Sequence, residues 1–152
     1  MEELTSLDPR YVTVVRIRTA LATLPILIAA FALEGADILP FGVVIAPVIL
    51  LAAFIIFRIP LRRYSARGYS MGEDRLRVVR GLLFRSDTVV PFGRVQHIDV
   101  HQGPLERAFG LSTLTVHTAG THNASVHLPG LASDGAVAMR EEIRAHIKRE
   151  TL

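Results

Sequence analysis

The 152-residue chain has no cysteine, which excludes disulfides, iron–sulfur clusters and thiolate zinc sites. The same absence leaves the compartment open, since a cysteine-free chain fits either side of a membrane. There is no Gly-x-Ser-x-Gly elbow, and no glycine-rich phosphate loop runs into a helical pattern, so the usual marks of an activated serine or a nucleotide cradle are missing. No histidine spacing resembles a helical His-Glu-x-x-His. His97 and His101 alternate within a strand-like stretch, about 13 Å apart, too far to share one ion. His97, His101, His117 and His127 fall on outward strand faces, which leaves open a cross-strand pair such as His101 with His117. Glu141 and Glu142 are neighbours on a helical pattern and point about 100° apart, so they are no catalytic carboxylate pair. Basic residues do not interleave with aromatics, so nucleic acid is not the expected partner. The expectation is a protein that is not an enzyme, with no catalytic residue, metal, cofactor or small-molecule substrate.

What the chain does have is apolar length and a localised positive charge. Ile17 to Leu33 carries a single charge, Arg18 at its start, and Ile38 to Phe57 is an apolar run of 20 residues. As helices these are about 25 and 30 Å long, against a hydrocarbon core of about 30 Å. Glu34-Gly35-Ala36-Asp37 between them reads as a tight turn, giving an antiparallel membrane hairpin. Thr19 and Thr23 are tolerable in such a helix because they can bond back to its carbonyls. Pro40 fits a first helical turn, whereas Pro25 and Pro47 should kink their helices. Two rival readings are weaker. Ala30-Phe31-Ala32 has the small-residue spacing of a signal-peptide cleavage site, but another apolar run follows within a few residues. A buried soluble hairpin fails because the rest of the chain is too small to cover two such helices.

The net charge is only +3, and it is concentrated. Arg58, Arg62, Arg63 and Arg67 follow the second run with no acid among them, whereas the chain from residue 68 onward holds ten basic and nine acidic residues. Arg10 and Arg16 precede the first run and Arg18 sits at its start, and the connection between the runs has no arginine. The positive-inside rule then places both termini in the cytoplasm, with Arg58, Arg62, Arg63 and Arg67 as a membrane-interface anchor.

From Tyr64 the pattern becomes short and alternating, with strands expected near 64–71, 75–83, 87–92, 95–102, 112–119 and 123–129. Gly72-Glu73-Asp74 and Thr121-His122-Asn123 supply hairpin turns, Gly81 bends the second strand, and a seventh strand is allowed within 83–92. Gly103-Pro104 stops the fourth strand and opens one helical turn that Gly110 ends. Leu105 and Phe109, four apart, should plug the core, with Glu106 and Arg107 turned towards the surface or towards each other's neighbours. Arg75 and Arg77 should be surface residues paired with nearby acids. After Pro129-Gly130, Ala136, Met139, Ile143 and Ile147 recur at helical spacing, one apolar stripe on a closing helix.

The residues Val90-Pro91, Arg94-Val95-Gln96, Gln102-Gly103-Pro104-Leu105-Glu106-Arg107, Phe109-Gly110-Leu111 and Thr118-Ala119-Gly120 together resemble the bacterial pleckstrin-homology-like proteins of the YdbS-like family. The resemblance covers about residues 60 to 147. It implies a membrane hairpin followed by a six- to seven-stranded β-barrel closed by a C-terminal helix, an α+β protein overall. The expected organisation is a cytoplasmic segment 1–16, the hairpin 17–57, a basic juxtamembrane linker 58–67 and a pleckstrin-homology-like domain over 64–152. It further implies a multi-pass protein of the inner membrane, partnered by another membrane protein with similar barrels or by copies of itself. Arg94, Gln96 and Arg107 lie in the family-like motif and are the candidate interaction or structural residues. Phosphoinositide-binding pleckstrin domains place basic residues around the first hairpin. Here Glu73 and Asp74 share that hairpin with Arg75 and Arg77, so sensing of anionic head groups ranks second to an interaction role.

Overall fold

The computed structural model describes residues 3–120 and 125–151, and the turn expected at Thr121-His122-Asn123 lies outside them. Two compact units are present, one formed by Val12–Arg62 and the other by Met1–Tyr11 together with Arg63–Leu152.

The first unit is made of two apolar helices, α1 (Arg10–Gly35) and α2 (Ile45–Ser65), of which residues 10–11 and 63–65 belong to the second unit. At 26 and 21 residues they are about 39 and 32 Å long, enough to cross a bilayer. Only 11% and 6% of their most apolar windows are buried, so neither is the core helix of a soluble fold. They run antiparallel, since the Arg16 guanidinium near the start of α1 lies 5.5 Å from the centre of the Phe57 ring late in α2. Thr19 and Thr23 bond back to the carbonyls of Val15 and Ala20, as expected. The connection is longer than the four-residue turn read from the sequence. Ile38–Val44 is apolar but not regular helix, because Gly42 takes a φ of +88°. The Glu34 carboxylate accepts the backbone N–H groups of Gly42 and Ile45 and so caps the start of α2. Pro47 therefore sits in the first turn of α2, where its missing N–H costs nothing, and the interior proline of that helix is Pro60.

The second unit holds six strands: β1 (Gly68–Met71), β2 (Arg75–Arg80), β3 (Ser86–Pro91), β4 (Val95–His101), β5 (Leu111–Thr118) and β6 (Ser125–Ala132). A one-turn helix α3 (Pro104–Phe109) joins β4 to β5, and α4 (Ser133–Glu150) follows β6. The strands form two antiparallel sheets, β1-β2-β3 and β4-β5-β6. Among the described residues no ladder joins them into the closed barrel that the resemblance implies. Their inner faces share one core instead: Leu76, Val78 and Val90 from the first sheet meet Leu114, Val116, Val126 and Leu128 from the second. Ala136 and Ile143 of α4 are fully buried in that core, with Met139 and Ile147 packed against it, so the predicted stripe is the buried face.

Several boundaries differ from the expected ones, and the last strand continues through Pro129-Gly130 to Ala132 instead of ending at 129. The first strand begins at Gly68 rather than residue 64, because α2 continues through the basic stretch to Ser65. No strand occupies residues 81–85. The additional pairing comes from the segment before α1, where Thr5 exchanges backbone hydrogen bonds with Tyr69 of β1 at 2.7 and 3.0 Å. Three residues on, the Asp8 N–H reaches the Gly130 carbonyl of β6. Leu7, between them, is buried in the core, and its carbonyl accepts the Tyr64 hydroxyl at 2.7 Å. This short segment thus spans from the free edge of one sheet to the free edge of the other.

Candidate functional site

The family-like motif around α3 is mostly scaffold. Gln102 donates from its amide nitrogen to the Leu111 carbonyl at 2.7 Å and to the Ser133 hydroxyl at 2.6 Å, and Ser112 donates to Ser133 at 3.0 Å. Glu106 is buried, not turned outward: one carboxylate oxygen accepts from the Thr113 hydroxyl at 2.9 Å and the other from the Gly103 N–H. Leu105 and Phe109 are half-buried flanks of the turn and lie outside the buried cluster. The reason is geometric. A six-residue helix can aim only a narrow face inward, and the carboxylate that closes its own first turn occupies that face. Arg10 braces the corner from outside, donating to the Phe109 carbonyl at 2.9 Å while gripping both carboxylate oxygens of Asp8. Those side-chain hydrogen bonds hold the Asp8 carboxyl below its ordinary pKa.

Arg94, Gln96 and Arg107 are all exposed and do not converge. Arg94 and Gln96 lie at the start of β4, where Gln96 lines a shallow groove with Glu141, Arg144 and Lys148 of α4. Arg107 is past the other end of that strand, about 20 Å along it. Its guanidinium forms no ion pair among the described residues.

A more concentrated feature lies at the end of the first sheet opposite the β1–β2 turn. Arg63, Arg67 and Arg80 line an open groove of about 420 Å³ together with Leu82, Leu83 and Phe84 of the β2–β3 connection. Arg67 and Arg85 line a neighbouring groove of about 400 Å³ with Ser6 and Ser65. Neither groove is lined by an acid. Arg67 is half-buried and held by the Tyr11 hydroxyl at 3.2 Å, so it is a fixed wall between the two. Arg63 and Arg80 form no ion pair among the described residues, and Arg85 acts on Asp87 through its field alone. The connection has a defined shape: Gly81 sits at φ +129°, where a Cβ would stand 1.7 Å from the Phe84 carbonyl oxygen. Leu83 and Phe84 are each 89% exposed, the most exposed large apolar side chains in this unit. Sequence reading missed this tip because 75–83 alternates like one unbroken strand; Gly81 was the only local sign of the break.

Of the anchor residues, Arg58 and Arg62 are exposed, one turn apart on α2 within the helical unit, and only Arg63 and Arg67 belong to the grooves. The first hairpin offers less. Arg75 meets Asp74 at 3.4 Å, and Arg77 is clamped on Asp87, which holds that carboxyl below its ordinary pKa.

His97, His101, His117 and His127 lie on the outer face of the second sheet. The register places His97, not His101, opposite His117, their rings 5.8 Å apart. Both reach Asp99, at 2.8 and 3.2 Å, and His127 meets the Thr115 hydroxyl. Among the described residues no three histidine, aspartate or glutamate side chains form a group able to hold a metal ion.

Comparison with known proteins bears on all of this. Residues 15–149 match the family described as Bacterial PH domain. The chain is 32% identical over 88 residues to the UPF0699 transmembrane protein YdbS of Bacillus subtilis (strain 168). That match covers 58% of this chain and 54% of the relative, so the chain spans about half the length of the curated protein it matches. No solved structure matches the chain.

Proposed function

The chain belongs to the bacterial PH domain family, whose members here are membrane-associated, and from that premise we propose a non-catalytic interaction module tethered at the cytoplasmic face of the inner membrane. Its partner class is another membrane protein carrying similar domains, or a second copy of this chain. The observation that carries the reading is the return of both ends of the helical hairpin to one folded unit. Thr5 and Asp8 precede α1, and their partners Tyr69 and Gly130 follow α2. Residues on either side of a two-span hairpin can fold together only if both lie on one side of the bilayer, and the arginines flanking the helices favour the cytoplasmic side. Confinement to that layer raises the module's effective concentration for neighbouring partners, which makes weak contacts at Arg94, Gln96 or Arg107 sufficient.

The cysteine-free chain allows a direct test. A Gly35→Cys substitution in the hairpin connection meets no neighbouring atom, and Glu142→Cys lies on the exposed face of α4. An impermeant thiol reagent applied to intact cells should label the first and spare the second. Labelling of Glu142→Cys alone would overturn the orientation. Photo-crosslinkers placed at Gln96 and Arg107 in the native membrane then identify the partner chains.

A second reading, sensing of anionic head groups, is favoured by one specific observation: the acid-free arginine grooves beside the exposed apolar tip.

A further inference from the structure

We propose that the β2–β3 connection seats the domain on the bilayer: the tip Leu82–Phe84 enters the interfacial layer while Arg63, Arg67, Arg80 and Arg85 hold the phosphates of anionic phospholipids. The inference rests on the head-group reading above and adds to it a location and a ligand class.

Four observations converge. Leu83 and Phe84 are almost wholly exposed, whereas the next most exposed large apolar side chain of this unit, Val89, is at 49%. Side chains left open at a protrusion mark a contact surface. The protrusion has a fixed backbone, since only glycine fits at residue 81. Arginine brackets the tip on both sides in sequence and lines both grooves beside it, with no acid in either lining. Finally, Arg63 belongs to α2 itself, less than two turns beyond Phe57, where the apolar run ends, and it shares a groove with the tip.

The occupant follows from the chemistry. An aromatic ring and two leucines flanked by guanidinium groups match a layer that is apolar just below a plane of phosphates. Guanidinium forks bind phosphate oxygens in pairs, and anionic lipid draws each basic group to the surface. A free phosphate ion would leave the apolar tip without a role. The site is also separate from the first hairpin, where Arg75 and Arg77 are engaged with acids.

The chain contains no tryptophan, so Phe84→Trp in the full-length protein is a single fluorescent reporter at an exposed position. Val137→Trp on α4, also exposed, is the reference. Each is reconstituted into phosphatidylcholine vesicles with or without phosphatidylglycerol, using lipids brominated on their acyl chains. The expected result is a blue-shifted emission for Phe84→Trp, quenched several-fold more than for Val137→Trp, and more in anionic than in neutral vesicles. Adding Arg80→Glu and Arg85→Glu should abolish the dependence on anionic lipid. Equal quenching at both positions, or no dependence on lipid charge, overturns the proposal. So does an unquenched indole together with a photo-crosslink from residue 84 to another protein, which would make the tip a protein-docking site. Flotation after an alkaline wash separates the two levels of failure. A chain that floats with the vesicles but is not quenched defeats this inference alone, whereas a chain that washes off defeats the tether as well.

Discussion

The backbone N–H of Asp8 donates to the carbonyl of Gly130 at 2.8 Å, joining the segment before the first apolar helix to the sixth strand. Gly130 is held there at φ +73°, and a Cβ at this position would stand 2.7 Å from Cγ of Tyr11. The contact is therefore both a hydrogen bond and a close approach that only glycine permits.

Leu7→Ala and Gly130→Ala should each destabilise the domain. Truncating a buried leucine typically costs about 2–5 kcal/mol, and the alanine at 130 adds a strained φ to a clash with the Tyr11 ring. Thermal melting of the full-length protein in detergent is the measurement. Melting unchanged in both variants would mean that the segment before α1 is not docked. A fragment beginning at residue 60 lacks Leu7 and the Thr5 pairing, so it is a poor substitute for the whole chain.

Glu106 and Arg107 should behave oppositely despite being neighbours. Glu106→Ala leaves the buried Thr113 hydroxyl and the Gly103 N–H without their acceptor, a loss of about 1–3 kcal/mol, while Glu106→Gln keeps one acceptor oxygen and should cost less. Arg107→Ala should barely move the melting temperature while weakening any crosslinked complex, since the side chain is exposed and unpaired among the described residues. A large drop for Arg107→Ala would return that residue to a structural role.

Acid stability should depend on Asp87. The hydrogen bonds from Arg77 hold its folded-state pKa below the ordinary carboxylate value of about 3.9. Its contribution is then complete above that unfolded value and disappears as the pH falls through the lower folded one. Asp87→Asn should flatten this part of the acid limb of the stability profile, measured as melting temperature against pH. At the alkaline end, burial raises the Tyr69 phenol, so its contribution is complete below about 10 and is lost as the pH rises through the folded value. Tyr69→Phe should remove that alkaline loss.

Gly81→Ala is expected to distort the β2–β3 connection, because its Cβ would meet the Phe84 carbonyl at a distance no contact allows. The distortion should lower the melting temperature and cut the lipid quenching of a Phe84→Trp reporter. A variant that keeps both would show that the tip does not depend on the positive φ at this residue.

The elements with local signals were legible in the sequence: two long apolar runs, the Gly72–Asp74 turn, the Gly-Pro start and Gly110 end of α3, and the α4 stripe. Each is encoded within a few residues of itself. Thr5 and Asp8 were not legible as strand partners, because their alternation is too short to register and their partners are remote in sequence. The burial of Glu106 was hidden for a related reason. A carboxylate reads as outward until its acceptors and donors, Thr113 above all, are brought to it by the next strand. The start of α2 was placed too early because apolar composition outweighed Pro40 and Gly42, whose backbone restrictions keep 38–44 out of regular helix. At the candidate site, the arginines after the second run were visible as a charge cluster. Their convergence with Arg80, Arg85 and an apolar tip depends on the turn at Gly81.

The Thr5–Asp8 segment also fixes an order of assembly. These residues leave the ribosome before either apolar helix exists, whereas β6 is synthesised only after both helices and five other strands. The segment before α1 is therefore made well ahead of the strand on which it closes. Closure of the domain comes after both helices are made, and a chain interrupted before Gly130 would carry an unsealed seam between its sheets. The closing contact therefore depends on the sixth strand: only a chain translated through Gly130 can seat Leu7 and Asp8.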